Sequence, residues 1–392
     1  MPRLPALLIV PVLLLGSARP ALAQESLSTV LSFLLVNRSI PTGDFARDTE
    51  AAAAMRDALI GLLQVEIATL PLNSPASGFT YRLDPELGIH VRASDSFGPF
   101  FLERSLTSGA RRLSLGLGFT QADFSDIDGR PLRDGTLVAT ASQFAGEAAP
   151  FDAETLTLRI RTRTATMSAT AGLTDRLDVS VAVPFVRVSL SGDRLDVYRG
   201  TPLLQASAVA ASSGVGDVAL RAKYNVWRQG GSGAAIAGEV RLPTGDKENL
   251  LGAGSTIVTP RVIGSYEPGA LGFHGSFGAA FGGPSAVLDY GGALTISATS
   301  RLTLVGEFLG RRLNQGGRLT DVTQPHPSLV GVRTVRLSAT NQPTTRSMVS
   351  IGFRWNVAGS GLISGNVLKP ISTAGLNARW LASITFDYSL GG

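Results

Sequence analysis

The three histidines of the chain, His90, His274 and His326, are the residue types best suited to bind a metal or act as a catalytic base. No pair of them has the spacing of a zinc site, so no metal is expected. His274 and Ser276 share one face of a predicted strand, which is the nearest approach to a serine nucleophile and its base. The sequence therefore predicts neither an enzyme nor a cofactor. A lipid-modifying hydrolase that depends on His274 stays open as an alternative.

Charged residues recur on one face of several alternating segments and form the second group that could act on a ligand. They are Arg221, Lys223, Glu239, Arg241, His274, Glu307, Arg311, Arg354 and Arg379. If the apolar faces of these segments meet lipid, the charged side chains line a polar, modestly basic interior. The hairpin across 229–233 should bring Arg221 near Glu239 as a cross-strand pair. A salt-bridged network that fills a narrow barrel explains these charges as well as a conducting pore does.

Twelve candidate strands position these side chains. They read 112–124, 154–172, 176–190, 214–228, 232–244, 255–267, 270–282, 286–298, 301–312, 346–357, 361–370 and 376–390. Short links follow every second strand, and long links follow the first (125–153), third (191–213) and ninth (313–345). Tight turns at one rim and long loops at the other are typical of an outer-membrane barrel. The predicted fold is an all-β antiparallel transmembrane β-barrel of about 12 strands, with an N-terminal helical or irregular segment.

A soluble β-sandwich or propeller also alternates and is the main competing fold. It would bury charges such as Arg221 and Glu307 in a dry core, at a cost of several kcal/mol for each unpaired ion. A wet lumen removes that cost. The third strand changes the parity of its apolar residues just past Pro184, which we interpret as a bulge.

The first residues predict export. Arg3 precedes an apolar run over 4–15, and the small residues at 21–23 form a cleavage site, so 1–23 is interpreted as a signal peptide. Because the chain has no cysteine, neither a lipid anchor nor a disulfide framework is expected. The net charge of +5 falls by two to +3 when Arg3 and Arg19 leave, and the remaining cations are dispersed, so no nucleic-acid partner is expected. The predicted location is the outer membrane of a Gram-negative bacterium, where the barrel assembly machinery, lipid and lipopolysaccharide are the expected partners.

Residues 24–110 differ from the barrel that follows at 111–392. A helix is predicted over 47–69 by its periodicity, and either a packing role or a part in a plug fits it. The segment 78–104 is rich in Gly, Pro and Phe but does not alternate, which suits an irregular segment inside or under the barrel. Three of its aromatic residues are the candidate plug residues. They are Phe97, Phe100 and Phe101.

Three glycine-containing motifs resemble a known family. They are 214–217 (GVGD), 242–246 (LPTGD) and 251–254 (LGAG). Together they resemble the outer-membrane family named for the meta pathway of phenol degradation, which is similar in general plan to the long-chain fatty-acid transport barrels. The resemblance is firm over about 170–270 and implies a transporter. It assigns no binding residue, because Asp217 and Asp246 suit tight turns and loop anchoring.

Passive, porin-like transport of small hydrophobic or aromatic compounds across the outer membrane is the function that these observations favour. The alternative is a non-conducting structural or adhesion barrel that acts through its extracellular loops, particularly 313–345.

Overall fold

The computed structural model describes residues 25–35, 60–61, 78–84, 89–315, 318–326, 329–340 and 342–390. The predicted signal peptide and most of the helix predicted over 47–69 lie outside the described residues, although Ile60 and Gly61 are helical. Both remain predictions.

Strands make up almost all of the regular structure. In chain order the elements are α1 Leu27–Leu35, β1 Tyr81–Asp84, β2 Ile89–Arg92, β3 Arg112–Ile127, β4 Arg130–Pro131, β5 Leu137–Phe144, β6 Asp152–Gly172, β7 Leu177–Tyr198, β8 Thr201–Val215, β9 Val218–Gln229, β10 Ser232–Leu242, β11 Ile257–Tyr266, β12 Leu271–Ala280, β13 Val287–Thr299, β14 Leu302–Leu313, β15 Arg318–Pro325, β16 Val332–Thr340, β17 Thr344–Ala358, β18 Gly361–Pro370 and β19 Leu376–Leu390. No helix within the described residues is long and apolar enough to cross a membrane.

Among these described elements, twelve strands form a closed antiparallel barrel. The wall strands are β3, β6, β7, β9, β10, β11, β12, β13, β14, β17, β18 and β19. Each pairs with the next, and β19 returns to pair with β3. The predicted fold class is therefore confirmed, and β19 has the bounds that alternation predicted for the last strand. The register Glu239↔Arg221 between β10 and β9 is confirmed as well.

The long links are largely strand. β5 pairs with both β6 and β16, and β15 pairs with β16, so the links at 125–153 and 313–345 raise the wall on one side. β8 pairs with the outer half of β7 and leads directly into β9. We call this rim of the barrel the hairpin end, and the opposite rim, with its short links, the turn end.

The outside of the barrel carries an apolar belt. Large apolar side chains point outward along every wall strand, as in Val179 and Phe185 of β7 or Leu115 and Phe119 of β3. Such a belt is what a membrane-spanning barrel presents to lipid. The fold is that of an outer-membrane β-barrel.

The inside changes character along its length, which corrects the expectation of a polar lumen throughout. Near the turn end β7 buries Asp178 and Ser180, whereas near the hairpin end it buries Val186, Val188 and Leu190. The β6–β7 register runs unbroken past Pro184, so the bulge predicted there is wrong. The apolar residues change parity because the lumen beside β6 and β7 is apolar past Pro184, where Leu156, Leu158 and Ile160 also face inward.

Pro184 has a different role. At this point the other edge of β7 changes partner from β9 to β8, and the N–H of Gly216 donates to the Pro184 carbonyl at 2.7 Å. The irregularity therefore lies in the neighbouring strand, between Val215 and Val218.

A charge placed in the apolar belt should destabilise the barrel according to its depth. Ile351 faces outward near the middle of β17 and is 73% exposed. We expect Ile351→Arg to lower the free energy of unfolding in lipid vesicles by about 2–4 kcal/mol, as for arginine at a bilayer midplane. Thr345→Arg, on the same face at the hairpin end, is the control and should cost about 0–1 kcal/mol. Equal costs in urea titrations would contradict the placement of the belt.

Candidate functional site

A buried segment, residues 93–110, runs through the lumen between β2 and β3. We call it the inner segment. Its side chains from Ser94 to Ser108 are buried apart from exposed Asp95. It contacts β9 on one wall and β17 on the other, and these two strands are six apart in the ring of twelve. The inner segment therefore crosses the full width of the barrel.

Two charged side chains on neighbouring strands hold one end of the inner segment. The Glu307 carboxylate of β14 accepts the backbone N–H groups of Phe100, Phe101 and Leu102 at 3.0, 3.1 and 3.1 Å. Arg354 of β17 donates to the carbonyls of Phe97 and Pro99 at 3.1 and 2.6 Å. Hydrogen bonds to ionised groups are stronger than neutral ones. These two residues thus satisfy the backbone of a segment that has no strand partner.

The opposite wall holds the other end of the inner segment in the same way. Lys223 of β9 donates to the Leu106 carbonyl at 2.7 Å, and Asn225 donates to the Ser105 carbonyl at 2.9 Å. The N–H of Ser108 donates to Asp178 of β7 at 2.9 Å. Both ends of the inner segment are therefore attached through its backbone.

One side chain of the inner segment pairs directly with the wall. Glu103 forms an ion pair with Arg221 of β9, and Arg221 also lies 3.9 Å from Glu239. Lys223 is 4.0 Å from Glu103 and 3.9 Å from Asp178. The predicted charges Arg221, Lys223 and Glu239 thus meet in one network, and Glu103 is at its centre.

Arg104 connects the inner segment to its own beginning and to the chain just before β1. Its guanidinium donates to the carbonyls of Ser96 at 2.9 Å and Gly78 at 2.5 Å. Burial lowers the pKa of Arg104 to about 10, although the nearby Glu267 carboxylate opposes this shift. Arg104 therefore stays cationic at neutral pH and keeps both carbonyls bound.

The three candidate plug aromatics do not form one apolar path. Phe97 packs edge-on against Phe79, with ring centres 5.5 Å apart, and contacts Leu362. Phe100 and Phe101 belong instead to the large apolar cluster of the outer half of the lumen. The inner segment thus separates two apolar regions, one toward each end.

A polar chamber lies beside Phe101 and Leu102. Its volume is about 80 Å³, which is room for several water molecules. Its charged lining consists of Arg221, Glu239, Arg241, Arg261, Asp289 and Arg311. Arg241 pairs with Glu239 at 2.8 Å and Arg311 with Asp289 at 2.9 Å. With four cations and two carboxylates, the chamber is basic.

Helix α1 fills part of the lumen toward the hairpin end. Leu31 and Leu34 are fully buried in the same apolar cluster as Leu158 of β6. The helix is fixed at its start by Ser28, whose hydroxyl donates to Glu248 at 2.6 Å. The outer half of the lumen is therefore filled by apolar packing on the side of β6 and β7, in contrast to the polar attachment of the inner segment.

His274 binds side chains of the neighbouring wall strands β11 and β13 rather than Ser276, the partner that the sequence suggested. Its Nδ1 lies 3.0 Å from the Ser265 hydroxyl and its Nε2 lies 3.2 Å from Thr295. Ser265 in turn accepts the N–H of Ser105 at 2.9 Å. The pairing of His274 with Ser276 that a hydrolase would use is not made.

Arg379 is the one predicted lumen residue that the structure exposes. Register shifts on either side of Ala378 leave Arg379 and Trp380 in a bulge of β19, where both are exposed. The alternation predicted over 376–390 is interrupted there, because Leu376 and Ala378 are buried while Ile384 and Phe386 face outward.

The glycine-containing motifs build the hairpin end near β9, as their residue types predicted. Asp217 accepts the N–H groups of Gly245 at 3.0 Å and Ala253 at 2.7 Å. Asp246 accepts the N–H of Glu248 at 2.9 Å. Both aspartates thus anchor the link between β10 and β11, and their structural interpretation is confirmed.

Several residues that hold the inner segment were missed from the sequence. Glu103 and Arg104 are the only adjacent pair of opposite charges in the segment 78–104, and this pattern could have indicated that they bind other residues. Asp178 and Asn225 gave none, because a strand residue that binds a backbone group looks like any other inward polar residue.

Comparison with known proteins supports the sequence resemblance. The family model described as "Putative MetA-pathway of phenol degradation" matches residues 135–313. The resemblance indicated by the glycine-containing motifs is confirmed over that part of the chain. No curated protein matches the sequence.

Solved barrels are similar at low sequence identity. An outer-membrane channel from Pseudomonas putida F1 is 12% identical with a TM-score of 0.46, over 71% of this chain and 96% of that chain. The NanC porin is 8% identical with a TM-score of 0.37, over 65% and 100%. The translocator domain of the autotransporter NalP from Neisseria meningitidis is 10% identical with a TM-score of 0.36, over 71% and 88%. At these values the likeness says nothing about a substrate.

The position of the inner segment can be tested by cross-linking, because the chain has no cysteine of its own. The backbone N–H of Ser105 donates to the Ser265 hydroxyl, so a short bifunctional thiol cross-linker should join the cysteines of Ser105→Cys/Ser265→Cys in isolated membranes, seen as a shift in electrophoretic mobility. Ser105→Cys/Ser383→Cys is the control, since Ser383 is buried on β19, across the barrel from β11. Failure of the first pair to react would place the inner segment outside the lumen.

Proposed function

We propose that the protein is an outer-membrane channel for passive transport of small hydrophobic or aromatic compounds, and that the inner segment is its gate. The protein catalyses no reaction in this proposal. The observation that carries it is the way in which the inner segment crosses the lumen. It is held from opposite walls by side chains such as Glu307 and Lys223, through contacts that can be broken and remade.

The polar attachment distinguishes the inner segment from a permanent core. Residues of a core are held by apolar packing over a large area, and their exposure to water is costly. The backbone groups of the inner segment bind wall side chains in addition to this packing, and water can replace each of those partners at a net cost of about 1.5–3 kcal/mol. Departure of the segment would also expose Phe97, Phe100 and Phe101, and this apolar cost favours the closed state.

The apolar part of the lumen beside β3 and β6 supports a hydrophobic substrate. Leu156, Leu158 and Ile160 of β6 face inward there, together with Phe124 of β3. Sites for small molecules are lined mainly by apolar side chains with a few polar groups. The family match, with its reference to phenol degradation, agrees with an aromatic compound.

A second candidate is a non-conducting structural or adhesion barrel that acts through its hairpin end. The filled lumen favours it, because α1 and the inner segment both occupy the lumen and the basic chamber beside the inner segment measures only about 80 Å³. The strand hairpins at 125–153 and 313–345 would then present the binding surface.

Weakening the Glu307 attachment should open the gate. In Glu307→Gln the charge is lost, and an amide N–H₂ can face the three backbone N–H groups that the carboxylate accepts. We expect single-channel recordings in planar bilayers to show at least a tenfold higher open probability than the wild type. Glu239→Gln is the matched control, because Glu239 binds Arg241 and Arg221 but not the backbone of the inner segment.

Deletion separates the two candidate functions. Removal of residues 25–104 should give a continuously open channel if the inner segment is the gate. A bilayer trace that stays closed after this deletion, in a protein that still inserts and migrates as a folded barrel, would favour the structural barrel.

The substrate class can be tested by uptake. A strain that lacks this protein should take up phenolic and acyl compounds more slowly, and the wild-type gene should restore the rate. Uptake of small sugars is the control and should not change. Loss of both kinds of uptake would indicate an unselective pore, and no change in either would contradict transport.

A further inference from the structure

Five arginines lie together on the outside of the barrel, where the wall strands β19, β3, β6 and β7 are neighbours. They are Arg159, Arg161, Arg163, Arg187 and Arg379, and all five are exposed. We call this surface the arginine face. The lumen does not use any of these residues, and the transport proposal assigns them no role.

The arginine face begins where the apolar belt ends. On β7 the outward residues over 177–185 are apolar, a length of about the 9–11 residues that cross a bilayer as a strand. Arg187 is the next outward position after Phe185. On β3 and β6 the outward apolar pair Phe119↔Ala165 is followed by Gln121↔Arg163. These arginines are therefore at the headgroup level of one leaflet, on the side of the hairpin end.

Two of the arginines oppose each other directly. The β6–β7 register pairs Arg163 with Arg187. Like charges in this position destabilise a sheet. An anion bound between the two guanidinium groups would offset this repulsion.

Protein partners leave most of the charge uncompensated. Arg161 pairs with Asp123 at 2.6 Å, and Arg163 donates to Gln121 at 3.1 Å. The side chains of Arg159, Arg187 and Arg379 form no hydrogen bond or ion pair with any residue that the structure describes.

We propose that the arginine face binds the phosphate groups of lipopolysaccharide in the outer leaflet. The proposal rests on the outer-membrane location in the proposed function. Guanidinium groups bind phosphate through two parallel charge-assisted hydrogen bonds. The exposed Trp380 beside Arg379 suits the same depth, because aromatic residues gather at membrane interfaces. The acyl chains of the lipid would then lie on Phe119 and Phe185 below.

Binding of lipid A to the purified, detergent-solubilised barrel tests this proposal. Native mass spectrometry with diphosphorylated lipid A should show a bound lipid on the wild type and at least a tenfold higher Kd for Arg159→Ser/Arg187→Ser. These two side chains have no partner on the described protein, so the variant should fold. Arg312→Ser/Lys369→Ser is the matched control, because it removes two exposed outward charges from β14 and β18 and should bind as the wild type does.

A second measurement separates lipid binding from a structural role. Without lipid, Arg187→Ser should unfold at a higher temperature than the wild type, because it relieves the repulsion of Arg163. With lipid A it should gain less stability than the wild type. A lower unfolding temperature in both conditions would show that Arg187 is structural and would overturn the proposal.

Three further results would overturn it. They are equal lipid A binding by both double variants, equal binding of dephosphorylated lipid A, and equal stabilisation of the wild type by inorganic pyrophosphate at the same concentration. Conductance recorded on the same preparations distinguishes the two proposals. A conducting barrel without lipid A binding refutes only this inference, whereas a preparation that never enters a bilayer refutes the proposed function.

Discussion

An irregular segment enclosed by a β-barrel must find partners for its backbone, because the wall strands already pair with one another. The inner segment meets this requirement through wall side chains. Glu307 and Asp178 accept its N–H groups, while Arg354, Lys223 and Asn225 donate to its carbonyls. These inward charges therefore serve to bind the backbone of the inner segment. The apolar outside and the closed sheet follow from the membrane, but the contents of the lumen follow from this constraint.

Alternation predicted the barrel well, because a strand with one lipid face repeats every two residues whatever its neighbours are. Alternation gave a wrong prediction where the apolar face of a strand does not face lipid. In β6 and β7 the apolar residues of the outer half face inward, since the lumen there is filled by apolar side chains such as those of α1. An alternating apolar pattern can therefore arise from contact with lipid or from contact with an apolar lumen, and the sequence alone does not separate these two causes. The change past Pro184 was accordingly mistaken for a bulge.

The inward charges were recognisable as a group, but their partners were not. Arg221 and Glu239 could be paired because hairpin geometry fixes which residues face each other. Glu307 and Arg354 bind backbone groups of a segment more than 200 residues away in the chain. No local pattern encodes such a contact. Arg379 was misplaced for a related reason, since the bulge that turns it outward arises from the pairing of β19 with β3.

The inner segment continues directly into β3, which is also the strand at which β19 closes the sheet. A force along the inner segment would therefore act on β3 and on its pairing with β19, which closes the barrel. The chain turns inward at Gly109 and Arg111, both of which have positive φ angles of 95° and 59°. In the proposed gating movement the segment would turn at this corner while the pairing of β19 with β3 stays intact. If the segment were instead withdrawn along its own length, the hydrogen bonds between β3 and β19 would break.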